Sequence, residues 1–103
     1  MASIVYSTAS NIDEAKKIAR IIVSEKLVAC VNIIPKIESI YRWQGKVHED
    51  TENILIAKTT DSKVHKTIDR IKELHSYEVP DIVSFPIKHG LKEYLFYIED
   101  ETK

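Results

Sequence analysis

Between Val28 and Thr59 two long stretches of strand-forming residues are joined by one short turn, and no other feature restricts the fold of this chain as much. The first, Val28-Ala-Cys-Val-Asn-Ile-Ile34, is nearly continuous in apolar residues, as in a strand covered on both faces. Pro35 then removes a ladder donor, which assigns it to a bulge or an edge. Beyond it Ile37, Ser39, Tyr41 and Trp43 share one parity, and Glu38, Ile40 and Arg42 the other. Gln44-Gly45 reads as a two-residue hairpin loop, with glycine supplying the positive φ of a tight turn, and the return strand runs from Lys46 to Thr59. At about 3.3 Å per residue, a strand from Val28 to Trp43 covers roughly 50 Å, more than one small sheet shelters. Part of the ribbon therefore protrudes, carrying Ile37, Ile40, Tyr41 and Trp43. Such an arm is marginal and aggregation-prone unless other subunits cover it, which makes self-association the economical solution. In the competing reading the strand stops at Pro35 and the aromatic residues fold back onto the domain's own core.

The remaining segments fit around this hairpin. Ser3 to Thr8 is β-branched and aromatic enough for a first strand. Asn11 with Glu14 three residues on resembles a capping box, and Ile12, Ala15, Ile18, Ala19 and Ile22 then lie on one face of a helix from about Ile12 to Lys26. Val64, Ile68, Ile71 and Leu74 predict a second helix ending near His75, with Asp61 or Ser62 as its cap. Ser76 to Pro80 is a loop. Asp81 to Ile87 reads as a last strand placed at an edge by Pro86, and Gly90 to Glu99 as a short C-terminal helix. The whole chain, residues 1–103, is thus one α+β domain of ferredoxin-like βαββαβ order, with an antiparallel sheet, a long β2-β3 hairpin and a short terminal helix. That fold names no function.

Charge and composition exclude several classes. Fifteen Lys and Arg against sixteen Asp and Glu leave a net charge of -1, without the basic excess that nucleic acid or anionic membranes require. The third strand begins Lys46-Val-His-Glu-Asp-Thr-Glu-Asn53, acidic and lacking the stacking aromatics of RNA-binding domains with this order. No nucleic-acid or membrane partner is expected. Apolar runs fall well short of the roughly 20 residues that cross a bilayer. The single cysteine, Cys30, cannot form an internal disulfide, and the N-terminal residues lack a secretory pattern, so a reducing cytoplasmic location is expected.

No phosphate-cradling glycine loop, His-Glu-x-x-His motif or nucleophile elbow occurs, and no enzymatic activity is expected. The acidic run Glu49, Asp50 and Glu52 reads most simply as a solvated strand face. The first loop, Thr8-Ala-Ser-Asn11, lacks the paired thiols of soft-metal transfer domains. Cys30, four histidines and these carboxylates are a ligand inventory for borderline ions such as Cu(II) or Zn without diagnostic spacing.

Leu27-Val-Ala-Cys-Val-Asn32, Ile40-Tyr-Arg-Trp-Gln-Gly-Lys46, Asp50-Thr-Glu52, Lys58-Thr59, Leu74-His-Ser-Tyr-Glu-Val-Pro80 and Tyr94-Leu-Phe-Tyr-Ile98 together resemble the CutA family of divalent-cation tolerance proteins. The resemblance covers nearly the whole chain. It implies a ferredoxin-like subunit in an interlocked homotrimer, a link to tolerance of copper and other divalent ions, and a similarity to trimeric PII signalling proteins. By the same resemblance Asn32, Tyr41, Trp43, Lys58, Tyr77 and Tyr94 line an inter-subunit site together with Cys30 and His75. Cys30 and His75, with Glu52 as an oxygen donor, are the expected ligands for a weakly bound copper or similar ion, and no cofactor is expected to be required. Lys58 favours a small anion instead, which opens a second reading as a PII-like signalling or scaffold module. The chain departs from the family's pattern at Tyr97, where Trp is common, and at Ser76, where Pro often follows the histidine.

Overall fold

The computed structural model describes residues 1–103. Strand β1 (Ala2–Ala9) leads into helix α1 (Ile12–Ser24). Strands β2 (Cys30–Trp43) and β3 (Lys46–Thr60) form the hairpin, and a single 3-10 turn precedes helix α2 (Val64–Leu74). Strand β4 (Ile82–Pro86) and helix α3 (Lys92–Glu101) complete the chain. The sheet order is β2-β3-β1-β4 with every neighbouring pair antiparallel, the ferredoxin-like arrangement that the element order predicts.

Helix α1 starts where Asn11 accepts a hydrogen bond from the Glu14 amide at 2.8 Å, satisfying one orphan donor of the first turn. The capping box is only half made, because the Glu14 carboxylate turns away toward Ser10 and Ser76. The helix ends at Ser24, two residues before the expected Lys26, which takes a left-handed φ of 60° and turns the chain back to the sheet. Neither Asp61 nor Ser62 caps α2. Asp61 accepts from the Ser3 hydroxyl, Ser62 bonds Thr60, and the chain enters the helix through the 3-10 turn. One face of the sheet, with Val5, Ala9, Leu55 and Ala57, packs against Ala15, Ile18, Ile22 and Ile71 of the two helices to form the main core. A smaller cluster joins Ile98 of α3 to Ala2 and Ala29.

The other face is largely open. The run from Val28 to Ile34 predicts cover on both sides of the strand; Val28, Val31 and Ile33 pack into the main core and Ala29 against α3, but past Ala29 the opposite face loses its cover. Ile34, of opposite parity, is 45% exposed, and Val83 and Phe85 on β4 are about half exposed on the same face. The outer edges of β2 and β4 carry no partner strand.

The hairpin divides at Pro35. Its register shifts between Ile34 and Ile37, and Lys36 holds a φ of 57°. The buried Asn53 closes the bulge: its Oδ1 accepts the Lys36 amide at 3.2 Å and its Nδ2 donates to the Ala9 carbonyl at 3.3 Å. Pairing resumes at Ile37 with Glu52 and continues to Trp43 with Lys46, where Gln44 and Gly45 both take positive φ, as a hairpin turn matched to strand twist demands. The ribbon gives the subunit a long axis of 44 Å. Tyr41 stacks on His48 across the ribbon and donates to Asp50. Tyr41 and Trp43 remain 41% and 43% exposed, so the aromatic residues do not retreat into the core.

Because Asn53 is the one side chain that ties the bulge to both strands, Asn53→Ala leaves the Lys36 amide and Ala9 carbonyl without that partner. A loss of about 1–3 kcal/mol is expected, read as a lower urea midpoint at fixed protein concentration. An unchanged midpoint would show that the bulge holds without it.

Candidate functional site

The residues that the sequence groups into one site fall into two clusters of opposite character. The first lies where α3 crosses the open face. Cys30 and Lys58 are register partners on β2 and β3, and Asn32 follows Cys30 on the same face. The Lys58 ammonium donates to Asn32 Oδ1 at 2.7 Å and to the Tyr94 hydroxyl at 3.4 Å, and sits 5.4 Å from the centre of the Tyr94 ring. Cys30 Sγ lies 3.3 Å from the same hydroxyl. The hydrogen bond with Cys30 and partial burial hold the Tyr94 phenol above its ordinary range, against the pull of Lys58. No carboxylate pairs with Lys58; its partners here are neutral.

The second cluster lies at the base of the ribbon, around a cavity of about 680 Å³. Tyr41, Trp43 and Glu52 contribute from the ribbon, Tyr6 from β1, and Tyr77 and Asp81 from the segment between α2 and β4. Glu52 is only 7% exposed. Its Oε2 accepts the Tyr77 hydroxyl at 3.0 Å, and no Lys, Arg or His lines the cavity. Burial and this bond push the Tyr77 phenol up to about 12, so it stays a neutral donor throughout the physiological range. Burial, reinforced by the Glu52 charge, raises Asp81, and burial with Asp81 and Glu52 raises Tyr6. Each shift reflects partial burial first and neighbouring negative charge second.

His75 belongs to neither cluster, although it builds the second. Its side chain is fully buried, with Nε2 at 2.7 Å from the Thr8 carbonyl and Nδ1 accepting the Tyr77 amide at 3.1 Å. The first contact requires Nε2 to carry the proton, which assigns the Nδ1 lone pair to Tyr77. The ring also packs on Tyr77 with centroids 4.7 Å apart. Just beyond, the Ser76 amide and hydroxyl donate to the two oxygens of Glu14 at 2.7 and 3.0 Å, pinning the loop to α1. Burial works against ionisation of Glu14, but the bonds from Ser76 prevail and hold it below its ordinary value.

Of the three expected ion ligands, the subunit therefore brings no two together. Cys30 pairs with Lys58, six residues along β3 from Glu52, about 20 Å at 3.3 Å per residue. Both nitrogens of His75 are engaged inside the fold. No group of three or more His, Cys, Asp or Glu side chains is arranged to hold a metal ion. Sequence reasoning missed Tyr6 and Asp81 as site residues, because each reads there only as part of a strand. The signal available was weak: Tyr6 shares the parity of Ile4 and Thr8, opposite to the core residue Val5.

The comparisons agree with this architecture. The family model described as CutA1 divalent ion tolerance protein matches residues 3–101. The divalent-cation tolerance protein CutA of Thermus thermophilus is 46% identical over 102 residues, covering 99% of both chains. The chloroplastic protein CutA 1 of Oryza sativa is 44% identical over 100 residues, which are 97% of this chain and 56% of that protein. Among solved structures, the one described as the periplasmic divalent cation tolerance protein CutA from Archaeoglobus fulgidus superposes with a TM-score of 0.97 at 41% identity over the full length of both chains. No helix is long and apolar enough to cross a membrane.

The Glu14 anchor predicts a specific acid response. Its folded value lies below the ordinary 4.5, so its contribution is complete above about pH 5 and is lost as pH falls through the depressed range. Asp81, raised in the fold, changes in the opposite direction and is relieved by acid. Glu14→Gln is expected to be less stable near neutral pH and to lose less stability than the parent on acidification to about pH 3, measured by urea midpoints. Parallel pH profiles for the two proteins would remove Glu14 from this role.

Proposed function

This chain belongs to the CutA1 divalent ion tolerance family, and from that premise we propose that it works as a homotrimer binding copper or a similar divalent ion weakly, in response to metal and without catalysis. The observation that carries this reading is the uncovered sheet face. Ile34, Val83 and Phe85 are exposed there beside two edge strands with open ladders, and the ribbon beyond the bulge leaves Ile40, Tyr41 and Trp43 exposed. Burying such a surface against further copies removes apolar area from water at about 25 cal/mol per Å² and supplies partners for the edge backbone groups.

Weak binding follows from the distribution of donors. Cys30 is a partly exposed thiol, soft enough for copper, and Glu52 is a hard oxygen donor remote from it. An ion at either residue completes its coordination with water or with donors from a neighbouring subunit. His75 acts in this reading by positioning Tyr77. The lone thiol suits a reducing compartment, and we assign the protein to the cytoplasm with metal ions, and neither nucleic acid nor membrane, as its partners.

One observation favours a second reading, a PII-like signalling or scaffold module. Lys58 is an ammonium whose contacts are an amide, a phenol and a thiol neighbour, a setting that admits a small anion at the cleft between subunits.

Light scattering on purified protein is expected to give the mass of three chains, and a monomer at micromolar concentration would end the first reading. Calorimetric titration with Cu(II) is expected to show binding that Cys30→Ser weakens at least tenfold, about 1.4 kcal/mol; equal heats in both proteins would remove the thiol as a ligand. For the second reading, nucleotides and carboxylates are expected to raise the melting temperature of the parent and leave Lys58→Ala unshifted. Flat responses in both proteins would exclude it.

A further inference from the structure

Charge and apolar surface are unevenly divided over the open sheet face. Within the four-stranded part of the sheet that face carries Ile4, Ile34, Ile54, Ile56, Val83 and Phe85, and Lys58 is the one charged side chain that the strands place there. Alternate residues of β3 read Glu52, Ile54, Ile56, Lys58, so an apolar stripe ends in a carboxylate at the ribbon base and in an ammonium beside Tyr94 of α3. Each end is consistent in sign: Asp81 and Glu78 lie with Glu52, whereas Lys58 has the neutral Asn32 and Tyr94 as partners. At 3.3 Å per residue the two ends are about 20 Å apart, so neither charge reaches the other within one chain. A second copy that covers the apolar stripe takes water from both ends, and a desolvated charge is costly unless it is paired across the contact.

We propose that Lys58 pairs with the partner subunit's Glu52, so that each contact between subunits joins the basic end of one open face to the acidic end of its neighbour. The inference rests on the homotrimer reading. A ring of three is built from heterologous contacts, in which one patch meets a different patch of the next copy, and three such contacts use every Lys58 and every Glu52 once. A contact between like ends sets carboxylates against carboxylates or ammonium against ammonium, and repulsion rejects it. Tyr77 holds one oxygen of Glu52 at 3.0 Å, and Asn32 and Tyr94 steer the ammonium, so both groups are oriented before the copies meet. Lys58 is then engaged by a neighbouring carboxylate in place of the small anion of the second reading.

A double-mutant cycle on association tests the pair, read by light scattering over a dilution series, in urea where water alone does not dissociate the parent. Two positions about 20 Å apart in one chain lie beyond the range of direct coupling, so coupling between them reports a contact between chains. Lys58→Gln and Glu52→Gln, the second of which keeps an acceptor for the Tyr77 hydroxyl, are each expected to weaken association at least tenfold. The double variant is expected to be no weaker than the weaker single one, a coupling of at least tenfold or about 1.4 kcal/mol. Lys58→Arg keeps the charge and is expected to assemble like the parent. Circular dichroism checks the fold of each variant, and Asp81→Asn, at an exposed position of the same acidic end, replaces Glu52→Gln in the cycle if that variant misfolds, with a smaller coupling expected. Losses that multiply in the double variant, or single variants that associate like the parent, overturn the pair while leaving the trimer standing. A parent that is monomeric at micromolar concentration overturns the homotrimer reading and the pair with it.

Discussion

The bulge at Pro35 and Lys36, closed by the Asn53 amide, is the constraint on which the rest of this subunit depends. Upstream of it β2 and β3 belong to a four-stranded sheet with helices on one face; downstream they leave the sheet as a two-stranded ribbon. A strand pair without that interruption would keep one continuous twist and carry Tyr41 and Trp43 along the plane of the sheet. The two unpaired residues re-aim the ribbon, and pairing resumes with Glu52 opposite Ile37, on the face that Tyr77 reaches from the loop after α2. The cavity at the ribbon base is a consequence of that bend. The same feature explains why Glu52, within an acidic run that reads as solvated, is the one buried residue among the Asp, Glu, Lys and Arg: it is the last of the run, at the angle between ribbon and sheet.

A second consequence is the separation of charge along β3. Lys58 and Glu52 share one face of one strand, far enough apart that neither neutralises the other, and across about 20 Å their direct interaction is screened at physiological ionic strength. One end of the open face therefore offers an ammonium among neutral acceptors, the other a carboxylate among phenols. A single pocket for both a cation and an anion would set these groups against each other. Placing the two groups at opposite ends of the strand keeps them apart.

Much of the fold was legible in the sequence because hydrophobic period, turn residues and prolines all act locally. The Gln44-Gly45 turn, the irregularity at Pro35, the edge position of Pro86 and the core face of α1 each follow from a few adjacent residues. The failures share a different cause. Asp61 and Ser62 have the chemistry of a helix cap, but Ser3 on β1 and Thr60 compete for them. His75 has the chemistry of a ligand, but the Thr8 carbonyl, remote in sequence, takes one nitrogen, and the Tyr77 amide the other. A list of residue types states what a side chain can bond, and only tertiary geometry decides which partner obtains it. Tyr6 and Asp81 were invisible for the converse reason, since nothing local distinguishes them from ordinary strand residues.

The two departures from the family pattern have unequal physical weight. Tyr97 sends its hydroxyl to the Ala29 carbonyl at 3.2 Å while its ring packs on Tyr94, so it presents to that carbonyl the one donor that an indole N–H would also offer. The exchange conserves both an aromatic surface and a hydrogen bond. Ser76 is different. Its amide donates to Glu14, a bond that proline cannot make, and its hydroxyl donates to the second oxygen of the same carboxylate. Proline would stiffen the loop by restricting its own φ, whereas serine stiffens it by clamping it to α1 through two charge-assisted bonds. Both devices limit the freedom of the backbone that presents Tyr77 to Glu52. The clamp, however, is charge-assisted and weakens when Glu14 is protonated, whereas the restraint of a proline ring does not depend on pH.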